Sequence, residues 1–207
     1  MEELKLKIKQ LSEKYSTNLM RQIEQRKQDM KADDTSHYLI YRVLGITSQD
    51  GQLIDEYQNT GRFLYKYAGS FLEEAATLCL NYAFPNGQKT KISNTLGQKP
   101  KTFEIDFLNG QDAIEVKWRD ATTDGDHITK EHTRVQVIKQ QGYNPIRIMF
   151  YYPQREQAIK IQQTLKTLYL GVGGKYYGGD AAWDYLKNYS KVDLKAILTD
   201  IANEKNG

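Results

Sequence analysis

The stretch TFEIDFLNGQDAIEVKW, residues 102–118, decides the fold of this chain. Asn109-Gly110 stands between two runs in which apolar and polar residues alternate. That is the strongest short-range sign of a β-hairpin, because a two-residue type I′ turn needs positive φ at both central positions. Two registers are open. With a two-residue loop Leu108 faces Gln111 and Glu104 faces Glu115; with a four-residue loop Leu108 faces Ala113 and Asp106 faces Glu115. Both have the same parity. Side chains alternate with period two, so Glu104, Asp106, Glu115 and Lys117 are expected on one face. Phe103, Ile105, Phe107, Ile114, Val116 and Trp118 are expected on the other, against a core.

Outward from the hairpin, a polar loop is followed by a predicted helix near 129–142, a strand near 146–152 and a helix near 154–169. On the other side a basic loop spans residues 86–101, preceded by a mainly helical stretch from Ile54 to Phe84. Within that stretch Leu72, Ala75, Ala76, Cys79, Leu80 and Ala83 form an apolar stripe, closed by Pro85-Asn86-Gly87. Strand, strand, helix, strand, helix predicts an α/β fold, a mixed β-sheet flanked by helices. Leu4, Ile8, Leu11, Tyr15, Leu19 and Ile23 mark a long amphipathic N-terminal helix. The tail carries a glycine-tyrosine loop, GVGGKYYGG, and two short helices. The expected organisation is a helical region over residues 1–60, packed on the core or on a second copy, and a core with a helical tail over 61–207.

Composition narrows the function. In 207 residues, 29 Lys and Arg against 26 Asp and Glu leave a net charge of +3, so contact with a polyanion has to come from local charge. Residues 86–101 carry Lys89, Lys91, Lys99 and Lys101 with no acid. Residues 128–147 carry Lys130, Arg134, Lys139 and Arg147 against Glu131 alone. The single cysteine, Cys79, sits in an apolar helix and is expected to pack in a reducing compartment. No apolar run is long enough for a membrane span, and the N-terminus lacks the pattern of a signal peptide, so a soluble intracellular protein is expected.

Carboxylates gathered with a lysine on one face of a two-stranded element repel one another unless a cation binds among them. Oxygen ligands select Mg²⁺. Phosphodiester hydrolysis needs such an ion to polarise the phosphoryl oxygen and acidify an attacking water, with an ammonium beside it to orient that water and stabilise added charge. Asp106 and Glu115 suit the first task and Lys117 the second. The bland alternative is a solvated hairpin face with Lys117 in a salt bridge.

Asp106, eight intervening residues, then Glu115-Val116-Lys117 resembles the Asp…Glu-x-Lys constellation of the PD-(D/E)XK nuclease superfamily. Ile105-Asp106, Ala113 to Asp120 and the segment Trp118 to Arg134 resemble the ApaLI-like group of type II restriction endonucleases over about residues 65–155. One departure is Ile105, where the superfamily has proline. The resemblance implies a restriction-endonuclease-like core and catalytic residues Asp106, Glu115 and Lys117. It implies Mg²⁺ held by Asp106, Glu115, the Val116 carbonyl and Glu73 of the preceding helix. It further implies a bacterial cytoplasmic homodimer that cuts double-stranded DNA at a short palindrome, with a methyltransferase of the same specificity as functional partner and no stable complex with it. Arg119, Lys130, His132 and Arg134 are expected to meet phosphate or base edges, and Lys89, Lys91, Lys99 and Lys101 to clamp the DNA backbone.

Other motifs carry less. His127 and His132 lie among Asp124, Asp126 and Glu131, but no Cys pattern or HExxH supports zinc; Asp126 or Thr129 suits a helix N-cap. Gly171 to Lys175 lacks the preceding strand and the following Ser or Thr of a P-loop. A structure-selective nuclease of the junction-resolvase kind and a non-catalytic DNA-binding protein are the competing readings.

Overall fold

The structure, a computed structural model, describes residues 1–97, 99–119 and 125–206. The chain divides into two compact units, residues 9–71 and residues 1–8 with 72–207. Its elements are α1 (Glu2–Lys31), α2 (Tyr38–Val43), α3 (Ser48–Ala83), β1 (Gln88–Ser93), β2 (Thr102–Asn109), β3 (Asp112–Arg119), α4 (Gly125–Gln140), β4 (Asn144–Tyr151), α5 (Glu156–Gly171), β5 (Lys175–Gly178), α6 (Asp180–Ser190) and α7 (Leu194–Asn206). No helix of the described residues is long and apolar enough to cross a membrane.

The unit of residues 9–71 is helical. Tyr15 meets Tyr67 and Phe71 edge-on at 6.1 and 5.8 Å, Arg26 donates to Asn59, and Tyr41 and His37 converge on Asp55. The short α2, which stands in a stretch read from sequence as turns around an apolar run, buries none of its residues.

The larger unit is built on a five-stranded sheet in the order β1-β2-β3-β4-β5, its first two pairs antiparallel and its last two parallel. This is the mixed α/β sheet flanked by helices that the element order predicts. The two edge strands were expected to be loops. β1, QKTKIS, buries only Ile92, and β5 has four residues among glycines. An edge strand bonds on one side only and tolerates lysine and glycine, so its composition resembles that of a loop. Gly174 leads into β5 because an added Cβ would stand 2.4 Å from the Pro145 carbonyl oxygen.

Two features of the hairpin depart from the expected pattern. Leu108 pairs with Ala113 and Asn109 with Asp112, the second of the two registers, yet only Gly110 and Gln111 lie outside the ladder. Gly110 has φ +57° and is the only residue of this turn with positive φ; glycine at the first central position marks a type II′ turn rather than type I′ on Asn109-Gly110. The second feature is a bulge. Gln88 pairs with Leu108 and Thr90 with Ile105, so β2 spends three residues where β1 spends two, and the extra one falls at Asp106–Phe107.

A bulge inverts the alternation beyond it, which corrects the expected faces. Phe103 and Ile105 pack in one cluster with Ala113 and with Val137 and Ile138 of α4, on the side of Glu115. Glu104 turns to the other side, where it pairs with Lys89.

β4 follows β3 in register, Glu115 beside Arg147. Arg147 reaches Glu131 of α4 at 3.0 Å, and Tyr176 of β5 donates to Gln162 of α5, so α4 and α5 cover this face. Ile146, Ile148 and Phe150 lie on the opposite face, where Phe150 packs on Trp183 of α6 at 4.3 Å. The stripe Leu72, Ala75, Ala76, Cys79 and Leu80 is buried as its spacing predicts.

Candidate active site

The site forms where β2 and β3 part. The last residue pair of their ladder toward the open end is Phe107 with Ile114. Beyond it the bulge brings the Asp106 side chain against β3, where its Oδ2 accepts the Val116 N–H at 2.8 Å. Glu115 and Lys117, two residues apart on β3, share a face, and the Lys117 ammonium stands 2.5 Å from Glu115 Oε1. Asp106 and Glu115 are each 5% exposed, while the Lys117 side chain is one-third exposed. The buried acids thus meet solvent through the lysine. Glu115 borders a pocket of about 530 Å³ whose charged lining is Lys91, Lys117, Lys130 and Arg134 with Glu104, Glu115 and Glu131.

Electrostatics separates the two carboxyls. Burial and the charge of Glu115 push Asp106 up to about 7, against the pull of Lys117 and the Val116 amide. Burial raises Glu115 too, but Lys117, Arg134 and Arg147 outweigh it and hold it below the ordinary range. Burial lowers the Lys117 ammonium, and Glu115 and Asp106 more than restore it. Glu115 is therefore the ionised member of the pair, and Asp106 is the one that takes up a proton first as pH falls.

Beneath Glu115 lies a buried network that the sequence-based candidates do not anticipate, although Arg134 is one of the expected DNA-contact residues. Arg134 of α4 places Nη1 2.5 Å from Glu115 Oε2 and Nε 3.5 Å from Glu131 Oε1, with its guanidinium 5.7 Å from the centre of the Phe103 ring. Glu131 Oε2 accepts from Arg147 at 3.0 Å and from the Tyr169 hydroxyl at 3.2 Å. Arg147 is 1% exposed. An arginine inside the apolar run Ile146 to Phe150 is a sequence signal for such a network, since a charge goes into a core only with a partner; a charge count over residues 128–147 hides it among Lys130, Arg134 and Lys139.

The other expected site residues divide. Glu73 is drawn to Lys89 at 3.2 Å, and Lys89 also reaches Glu104 at 2.7 Å. Glu73 is close enough to raise Asp106, but among the described residues no three His, Cys, Asp or Glu side chains are grouped to hold a metal. Lys91 lies 3.9 Å from Glu104. Lys99, Lys101, Arg119, Lys130 and His132 are exposed. Arg134, expected to face DNA, turns inward to the two glutamates. The Asp124 part of the histidine-acid cluster, and the side chains of Asp126 and His127, lie outside the described residues.

A two-carboxylate site on a β-sheet beside an ammonium, with further cationic side chains in the adjoining pocket, has the means for metal-assisted hydrolysis of an anionic ester. Compared with known proteins, the chain matches the family model described as ApaLI-like restriction endonuclease over residues 1–203. The match takes in the N-terminal helix and C-terminal tail, which the sequence resemblance left out. Neither the curated proteins nor the solved structures yield a match. The chain belongs to the ApaLI-like restriction endonuclease family, whose members are nucleases acting on DNA.

Proposed function

We propose that this member of the family is a Mg²⁺-dependent type II restriction endonuclease, a homodimer that hydrolyses double-stranded DNA at a short palindromic site, paired in the cell with a methyltransferase of the same specificity. The observation that supports it best is the convergence of Asp106, Glu115 and Lys117 at the bulged end of the hairpin. The donor set fits Mg²⁺. It consists of hard oxygens, two carboxylates and the Val116 carbonyl, and this ion keeps several waters and needs only one or two carboxylates from protein. The raised Asp106 carboxyl marks a place where a dication relieves repulsion between buried acids.

In this reading Asp106, Glu115 and the Val116 carbonyl hold the ion, and Glu73 remains with Lys89. When bound, the ion polarises the phosphoryl oxygen and lowers the pKa of the attacking water. Lys117, anchored on Glu115 and one-third exposed, orients that water and donates toward charge developing on the phosphate. Lys91 and Lys130, on the rim of the same pocket, and Arg119, Lys99, Lys101 and His132 attract the flanking phosphates, a contribution that weakens as salt rises.

A plasmid digest tests this. Discrete fragments with Mg²⁺ and none with EDTA support the reading. Cutting confined to branched substrates favours a resolvase, and tight binding to an uncut plasmid favours a non-catalytic DNA-binding protein. Sedimentation of the free protein as a monomer at every concentration would remove the homodimer.

A further inference from the structure

Each carboxylate oxygen of Glu115 already has a cationic partner. Oε1 is engaged by Lys117 and Oε2 by Arg134, each at 2.5 Å. A dication approaching Glu115 meets the charge of both and gains when one of them moves aside, and the two differ in how they are held. Lys117 is tethered two residues along the same strand, and the carboxylates favouring its charge are Glu115 and Asp106. Arg134 comes from another element and already has a second acceptor, Glu131 Oε1 at 3.5 Å. That acceptor is fixed, because Arg147 and Tyr169 hold its other oxygen. The grip of Arg134 on Glu115 is also loose in direction. Its Nε and Nη1 are buried yet make no aligned hydrogen bond, so charge holds the guanidinium there without the two parallel bonds of a forked pair.

We infer that Arg134 is a positioning residue that competes with the divalent cation for Glu115 Oε2 and yields to it by shifting onto Glu131. This rests on the metal-binding reading above. Metal entry then costs one broken ion pair, and the face of Phe103 lies beside the guanidinium as it moves. The metal's affinity for the free protein is therefore set partly by a residue that is not a ligand.

Mn²⁺ titration of the whole protein without DNA, by calorimetry, tests the inference with no dependence on cleavage. Arg134→Gln should bind Mn²⁺ roughly tenfold more tightly than wild type, the size of one lost charge pair in a partly buried site. Arg134→Lys keeps the charge and should stay near wild type. Glu131→Gln removes the refuge and should weaken binding, which supplies an arm of opposite sign should Arg134→Gln fold poorly. Lys130→Gln removes a cation from the same pocket and should change little. Unchanged Mn²⁺ affinity in both Arg134→Gln and Glu131→Gln overturns the inference, as does Lys130→Gln tightening as much as Arg134→Gln. Should wild type bind no better than Glu115→Gln, the metal reading falls with it; should Glu115→Gln alone lose binding while Arg134→Gln does not tighten, only the role of Arg134 falls.

Discussion

Asp106→Asn should stabilise the free protein while abolishing its activity. The substitution keeps the shape and an oxygen that can accept the Val116 N–H, and it removes the charge. The wild-type carboxyl titrates near 7 against an ordinary 3.8, and a tenfold change in proton affinity is about 1.4 kcal/mol. Keeping it ionised in the fold thus costs on the order of 4 kcal/mol, of which the substitution recovers about half because the buried amide that replaces the carboxyl carries a desolvation cost of its own. For a chain of this length that is a rise of roughly 4–8 °C in Tm. The sign follows from the direction of the shift. A carboxyl raised by folding contributes stability in full below its unfolded pKa, and that contribution is lost as pH climbs from about 4 to about 7. The advantage of Asp106→Asn should be greatest at pH 8 and shrink toward pH 5. Thermal unfolding followed by circular dichroism in EDTA measures it. Added Mn²⁺ should raise the wild-type midpoint and leave that of Asp106→Asn unmoved. An Asp106→Asn protein no more stable than wild type at pH 8, or equally favoured at pH 5, refutes the reasoning.

Three other outcomes follow from the geometry. Lys117→Ala should keep DNA affinity, read by gel shift in Ca²⁺, and lose cleavage by about 10²–10⁴-fold; cleavage at the wild-type rate would remove the lysine from the chemistry. Arg147→Met strands the buried Glu131 carboxylate and should cost about 3–5 kcal/mol in urea unfolding, whereas a loss under about 1 kcal/mol would mean that Tyr169 and Arg134 suffice for Glu131. Gly87→Ala puts a Cβ 2.1 Å from the Phe107 ring, which is fully buried, and should destabilise by about 1–3 kcal/mol. Gly61→Ala on the open side of α3 should stabilise by roughly 1 kcal/mol; the same sign for both in a thermal melt would contradict the packing.

The sequence alone was enough for the mixed α/β class, the hairpin and the central strand β4. Alternation over 102–118, a glycine where the turn needs positive φ, and the helical stripe of Leu72 to Leu80 are local signals, and local signals survive without knowledge of the partner surface. Edge strands β1 and β5 escaped because half their backbone bonds are free of the sheet, so their residues answer to solvent rather than to a core.

Only the tertiary structure decided the rest. The bulge at Asp106–Phe107 depends on the register between β1 and β2 and has no mark in the sequence, yet that one extra residue moved Phe103 and Ile105 to the other face and swung the Asp106 carboxylate onto β3. The inward turn of Arg134 depends likewise on α4 lying over β3 and β4. Whether a charged side chain reaches solvent or a buried partner is settled by the element packed against it, and that neighbour lies many residues away along the chain.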